Sequence, residues 1–396
     1  MRMREMVMLT KVLENFLHAN VKNLKDGSLI FTFPNGKSIH IGNHPEQVQI
    51  DFLSWKGIWL VFRRGALGFT EGYLQGFWST NDLLKLMDFL SKNINSLSGI
   101  TQGKFTFKLF SRLNHFFNKN TLQGSKKNIA AHYDLGNKFY SLWLDSSMTY
   151  SSAIFESLND KQSLEAAQHL KYQNILDLLN LEPGASILEI GCGWGGFMEY
   201  AASKGYKVKG ITISPSQFKF AKQRIQSLSG YCAIELIDYR NITGSYDAVV
   251  SIEMFEAVGS TFWDTYFKQV QKLLKPNGKA VIQTITIKDE LLSQYQKSPD
   301  FIQTYIFPGG ELASDAAIKE LVASNNLEAQ ETISFPHSYA KTLENWYHNF
   351  LQSWDEIEPL GFDEKFKRTW KMYLAYCRGG FLNDRLFVSQ YLLSQK

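Results

Sequence analysis

"SILEIGCGWGGF", residues 186–197, carries an apolar run through Glu189 into four glycines set between Gly191 and Gly196. A strand that empties into glycines before a helix lets backbone N–H groups approach a ligand, and the usual ligands are a dinucleotide or S-adenosylmethionine. Gly191, Gly193 and Gly196 satisfy G-x-G-x-x-G, so the glycines alone do not choose. Their flanks do. A dinucleotide site wants a carboxylate about 20 positions on, at the end of the second strand, to hold the ribose. Here that strand ends in "GITISPSQ", residues 210–217, which offers Thr212, Ser214 and Gln217 instead. Glu189, just before the glycines, is placed to hold an ammonium group through water. Asp238, closing the third strand in "IDYR", is placed to meet an adenine amino group. Each residue alone could be an ordinary turn or strand-end cap; together they favour S-adenosylmethionine.

Around this stretch, "KVKGITI", "AIELIDY", "YDAVVSI" and "GKAVIQTITI" read as further strands with helical segments between most of them. "SLEAAQHLKYQNILDLLNL" reads as a helix that ends before Pro183 and Gly184. The alternation implies an α/β, doubly wound parallel sheet whose ligands bind outside the carboxyl ends of its strands. Beyond Phe301 the chain is irregular, then helical and aromatic. The stripe Trp346, Phe350, Trp354 suits either a core or an apolar pocket.

A chain of 396 residues, 44% hydrophobic, predicts more than one domain. Residues 1–100 read as a small α+β domain. It opens with an amphipathic helix, continues with a hairpin in "SLIFTFPNGKSIHIG", takes "GIWLVFRRG" as a further strand, and has a Ser/Thr/Asn-capped helix in "STNDLLKLMDFLSKNI". Residues 101–130 read as a basic aromatic linker, and 131–396 as the domain that holds the S-adenosylmethionine site. The net charge of +4 implies no nucleic-acid partner. Its distribution is uneven, because Gly103 to Tyr133 contains Lys104, Lys108, Arg112, Lys119, Lys126 and Lys127 but no Asp or Glu. That window suits contact with anionic lipid headgroups as well as it suits a solvated linker. Cys192, Cys232 and Cys377 lack the spacing of a zinc site or disulfide framework, so no metal is expected and a reducing compartment fits. No apolar run approaches the roughly 18 to 20 residues of a spanning helix.

"HYDLGNKFYSLWLDSSMTYSSAIF", "ILEIGCGWGGF", "GITISPSQ", "DYR", "SIEMFEAVG", "YIFPGGELAS" and "ENWYHNF" follow one another from His132 onward. Together they closely resemble the cyclopropane-fatty-acid-phospholipid synthase family. "GFTEGYLQGFWSTNDL", residues 68–83, extends the likeness into the N-terminal domain. The resemblance implies a class I S-adenosylmethionine methyltransferase, with 131–396 its catalytic domain carrying aromatic-rich helical, lipid-binding insertions. Tyr150, Ser151, the stretch Leu188, Glu189, Gly191, Cys192, Gly193, Trp194, Gly195 and Gly196, then Thr212 to Gln217, Tyr239 and Arg240 would bind the cofactor. It maps a bicarbonate site onto Ser152, Glu256, Gln283, Ile285 and Tyr347, and a C-terminal cysteine onto Cys377. Ser152 and Gln283 depart from the Cys and His of better-known members, which weakens the expectation of bicarbonate. Glu253 stands where such members carry a small residue; being three residues before Glu256, it is expected to share a helical turn with it and to take or share the base role.

The implied reaction moves a one-carbon group from S-adenosylmethionine to the double bond of an unsaturated phospholipid acyl chain, giving a cyclopropane fatty acid. Tyr133, Phe255, Tyr305, Trp346 and Tyr347 are candidate aromatic walls for the cation formed. The resemblance further implies a homodimer bound peripherally to the cytoplasmic face of a bilayer. Three rival readings are a methyl-branched or methylene lipid product, a small-molecule or quinone methyltransferase, and a lipid-binding module without catalysis. "YIFPGGELAS" and the aromatic tail speak against the second, and the intact glycines with Glu256 against the third.

Overall fold

Seven strands form the sheet that carries the glycine turn, and four shorter ones form a separate sheet near the N-terminus. The computed structural model describes residues 3–21, 24–97, 135–159, 161–297 and 299–396. The basic window, Tyr133 and the 101–130 linker therefore lie outside the described residues. The chain divides into two units that are discontinuous in sequence. One contains Met1–Asn114, Ser298–Phe301 and Gly361–Asn383, and the other His115–Lys297, Ile302–Leu360 and Asp384–Lys396.

In the first unit, β1 (Ser28–Thr32) and β2 (Ser38–Ile41) make the expected antiparallel hairpin, while β3 (Gln47–Phe52) joins β1 in parallel and β4 (Trp78–Ser79) closes the edge. "GIWLVFRRG" is not a strand. It lies in the helix Trp55–Leu74, started by the Ser54 side chain accepting from the Lys56 N–H and broken at Gly65, where φ is 59°. A short apolar run fits a strand or a buried helix equally by periodicity, and here the cap decides. Likewise the helix Leu83–Lys92 is capped by Asp82, which accepts from the Lys85 N–H, rather than by the preceding Ser, Thr or Asn. Trp78 is wholly buried against Phe69 and Tyr73, its indole donating to the Phe69 carbonyl at 2.7 Å. The helix Glu364–Leu382 also belongs to this unit, so it interrupts the block expected over 131–396. Its Gly379 meets the Met87 backbone where a Cβ would stand 2.8 Å from a carbonyl oxygen, and Asn383 donates to Asp88 at 2.7 Å.

In the second unit β5 (Ser186–Ile190), β6 (Lys207–Thr212), β7 (Cys232–Leu236), β8 (Tyr246–Ile252) and β9 (Leu274–Ile287) are the five expected strands, all parallel. Two more complete the sheet: β10 (Leu327–Ser334) and β11 (Leu386–Gln395), in the order β10-β11-β9-β8-β5-β6-β7. β11 runs antiparallel to both neighbours, so the sheet is mixed rather than wholly parallel. Residues alternate between two cores. Leu188, Val249 and Ala280 face one with Tyr266 and Phe267, and Ile187, Ala248 and Val281 face the other with Ile175 and Phe197. No helix among the described residues is long and apolar enough to cross a membrane.

Candidate active site

After β5 the chain turns through Gly191, Gly193 and Gly195 at φ of 79°, 53° and 84°. Such left-handed backbone favours glycine, yet the glycines differ in what they face. A Cβ on Gly191 would stand 2.6 Å from Cγ of Met254, on Gly195 3.1 Å from Cβ of Ala221, and on Gly196 2.8 Å from the Tyr172 hydroxyl. At Gly193 it would meet nothing within 4 Å among the described residues. Three of the four glycines thus answer to the protein's own packing, and Gly193 opens onto space for a ligand. Leu188 and Cys192, expected at the cofactor, point into the two cores instead, where burial pushes the Cys192 thiol well up.

Around that opening the side chains are organised for a polar, cationic ligand. Glu189 is buried on β5 with Oε2 lacking a hydrogen-bond partner among the described residues. Burial pushes its carboxyl up to about 8, with Lys171 opposing. Thr212 donates to Oε1 of Gln217 at 3.0 Å and accepts from the Ser214 N–H at 3.2 Å, while Ser214 caps the helix Pro215–Arg224. Asp238 is committed more than its strand-end position suggests: it accepts from the backbone N–H of Arg240 at 3.0 Å and from its guanidinium at 2.8 and 2.7 Å. Tyr239 lies edge-on to Tyr266 and Arg240 over Phe262. An orphaned buried carboxyl oxygen and an open glycine turn fit S-adenosylmethionine; Glu189 is the residue that would hold its ammonium, and Gly193, Thr212 and Gln217 those that would border it.

On the other side of the turn, past β8, stand two glutamates. Glu253 has φ of 49° and does not share a helical turn with Glu256, which sits in the 3₁₀ turn Phe255–Ala257. Glu253 Oε1 accepts from the Ser152 N–H and from Nε2 of Gln283, each at 2.8 Å, and Oε2 accepts from the Tyr339 hydroxyl at 2.7 Å. Gln283 is held in turn by Nε2 of Gln390 at 3.0 Å. Glu256 Oε1 accepts from the Thr284 hydroxyl at 2.9 Å and from the Ile285 N–H, while Oε2 is buried without a partner among the described residues. Desolvation raises both carboxyls; Glu256, pushed further by Glu253, reaches about 8.

An aromatic cluster covers this region. Tyr150 lies 5.3 Å from the Trp346 ring, 5.6 Å from Trp143, 5.4 Å from Tyr140 and 6.5 Å from Phe307. Tyr140 extends it to Trp194 at 4.9 Å, and the Trp194 indole donates to Asn137 at 2.8 Å. Of the aromatics expected here, Trp346 takes part and Tyr347 is buried on the same helix, Pro336–Gln352. Phe255 instead packs into the core on Trp263, Tyr266 and Phe267, and Tyr305 is 41% exposed. Cys377 belongs to the other unit, on the helix Glu364–Leu382, with its thiol raised by burial. Ser151, Ser152, Gln283, Ile285, Glu253 and Glu256 do converge.

Two participants were not legible as such. Tyr339 gives no motif, and its part rests on the hydrogen bond it donates to Glu253. Lys171 had a signal. In the helix Leu164–Leu179 it shares the phase of Leu164, Ile175 and Leu179, so a cation and its neighbour Gln168 sit on an otherwise apolar face.

Comparison with known proteins gives the family. The family model for mycolic acid cyclopropane synthetase matches residues 120–391. A tuberculostearic acid methyltransferase of Mycobacterium tuberculosis is 36% identical over 347 residues, 84% of this chain and 80% of its own. The cyclopropane-fatty-acyl-phospholipid synthase of Escherichia coli is 36% identical over 337 residues, 81% of each. A crystal structure of a mycolic acid cyclopropane synthase complexed with SAH and CTAB superimposes with a TM-score of 0.63 at 31% identity, covering 68% of this chain and 98% of that one. With the sheet order, the glycine turn and a family match over more than half its length, the chain belongs to the mycolic acid cyclopropane synthetase family of S-adenosylmethionine-dependent methyltransferases.

Proposed function

We propose that the enzyme bridges the double bond of an unsaturated acyl chain, carried by a membrane phospholipid, to give a cyclopropane fatty acid without using bicarbonate. The supporting observation is Glu253. Ser152 N–H and Gln283 Nε2, two donors that the resemblance assigned to an anion, are occupied by this carboxylate, and a third, the Ile285 N–H, by Glu256. An intrinsic carboxylate therefore stands where a bound anion would.

When bound, S-adenosylmethionine supplies an electrophilic methyl carbon whose bonding pair leaves with sulfur. The alkene's π pair forms the new C–C bond and leaves a cationic carbon in the acyl chain. Tyr150, Trp346 and Phe307 present ring faces that stabilise positive charge and exclude water. Glu253 accepts one proton from the added methyl group, and the freed C–H pair closes the ring. Tyr339 holds Oε2 in place for that transfer.

Lipids of a host expressing the enzyme should contain a ring methylene, read by proton NMR and mass spectrometry of the fatty-acid methyl esters. A branched methyl or methylene signal in its place would overturn ring closure. That second reading is favoured by the likeness to the tuberculostearic acid methyltransferase.

The same proposal makes the enzyme a homodimer held peripherally on the cytoplasmic face of the membrane. Six cations without a carboxylate between Gly103 and Tyr133 support such docking. Binding to anionic vesicles should weaken as salt shortens the Debye length below about 8 Å, and neutralising Lys104, Lys108, Arg112 and Lys119 together should release the protein in co-sedimentation. Unchanged sedimentation would leave the window a linker.

A further inference from the structure

The helix Leu164–Leu179 holds the segment that precedes the active-site carboxylates through a run of buried polar groups. Gln168 donates to the Ser151 carbonyl at 2.9 Å, and Nζ of Lys171 donates to the Ser151 hydroxyl at 2.7 Å. Tyr172 bonds Thr149, and Thr149 meets Ser147 at 2.5 Å. The next backbone N–H along, that of Ser152, is the one donated to Glu253. From the same helix Asn174 reaches Gln390, which holds Gln283, which also donates to Glu253.

Lys171 is the unusual member. Its side chain is fully buried with one hydrogen bond among the described residues, and its ring contact is Tyr172 at 4.9 Å. A buried ammonium ordinarily costs several kcal/mol unless charges of opposite sign compensate. The ionisable groups acting on it are Glu253, Asp145 and Glu189, all acidic. Desolvation pulls Lys171 down to about 7 in spite of them, and its charge in turn lowers Glu253 and Glu189.

We infer that Lys171 is a positioning residue of the reaction: through its bond to Ser151 it fixes the Ser151–Ser152 segment against Glu253, and its cation favours the form of that carboxylate that accepts a proton. A helix meant only to pack would carry Leu or Met at this phase. The inference rests on the proposed role of Glu253, and it adds a residue that need not touch substrate or cofactor.

Lys171→Met keeps an unbranched side chain, one heavy atom shorter, and removes the charge. Turnover, read as S-adenosylhomocysteine formed with vesicles of unsaturated phospholipid, should fall on the order of 100-fold, the scale of a misplaced reacting group. The acid limb of the kcat profile should move to higher pH, because Glu253 loses a cation that lowers its proton affinity. In a Glu253→Gln background the same change should cost little more, since Lys171 acts through that carboxylate. Independent, multiplicative losses in the double variant, or an unmoved acid limb in the single one, would reduce Lys171 to a packing role. Should Lys171→Met fail to fold, Ser151→Ala removes its hydrogen bond at lower risk and should show a smaller shift of the limb in the same direction; an unmoved limb there overturns the inference. Product identity is read separately by NMR, so failure of ring formation and failure of Lys171 are distinguishable outcomes.

Discussion

Glu253→Gln should lower kcat about 1,000-fold, within the 10²- to 10⁴-fold range of a lost general base, while leaving cofactor affinity and thermal stability close to the parent's. The amide is a near-isostere. Its oxygen can still accept from Ser152 N–H and Gln283 Nε2, and its nitrogen can donate to the Tyr339 hydroxyl where the carboxylate accepted from it. What disappears is the charge. Because desolvation raises Glu253 above the ordinary carboxylate range, the parent's kcat should climb with pH along a limb displaced upward, and that limb should vanish in the variant. The neighbouring Glu256, at about 8, then keeps its proton through neutrality and leaves one negative charge for the pair.

Bicarbonate separates the alternatives. In depleted buffer the parent should turn over at full rate and gain nothing from added bicarbonate. Glu253→Gly, tolerated by a φ of 49°, would leave three donors without their acceptor, and bicarbonate or formate should then restore part of the activity. Strong stimulation of the parent together with near-normal turnover of Glu253→Gln would sink the proposal.

The sheet was legible because each of its five parallel strands is a short apolar run bounded by Gly, Pro, Asn or Asp. The two strands past Phe301 were not. β10 is a polar edge strand, "LEAQETIS", and β11 lies 52 residues beyond it, paired antiparallel through contacts that no local pattern encodes. The helix containing "GIWLVFRRG" was misread for the opposite reason, since a local pattern existed and fitted two structures. In the site, positions carried by long motifs converged as expected, namely Ser152, Glu256, Gln283 and Ile285. Cys377 lies on a helix that belongs to the other unit, which its motif, giving a sequence position alone, does not convey. Glu253 was recognised as unusual, yet the helical spacing assumed for it was wrong: the chain passes through left-handed backbone there before the 3₁₀ turn begins. Its partner Tyr339 becomes visible only once the helix Pro336–Gln352 is set beside the end of β8.

Gly193→Val should abolish most cofactor binding, and the comparison with Gly191 shows why the loss is assignable to the ligand. A Cβ at Gly193 meets no atom of the described residues within 4 Å, so a side chain there points into the opening that the ligand would fill. Overpacking of that kind costs roughly 1–3 kcal/mol, on the order of 10- to 100-fold in affinity. Valine at φ of 53° also strains the backbone, so Gly193→Asn, which accepts left-handed geometry, is the cleaner partner variant and should lose affinity with little change in melting temperature. Gly191→Ala should behave in the reverse way, because its Cβ would collide with Met254 at 2.6 Å and the fold itself must yield. Titration calorimetry adds a signature from Glu189. Its carboxyl, at about 8 from burial, is protonated at neutral pH, and a cation placed beside the orphaned oxygen lowers that value. Binding of S-adenosylmethionine near pH 7 should therefore release a proton, seen as a heat that varies with the ionisation enthalpy of the buffer, and affinity should rise with pH up to about 8. Parent-like affinity in Gly193→Val, or a buffer-independent heat in the parent, would place the cofactor elsewhere.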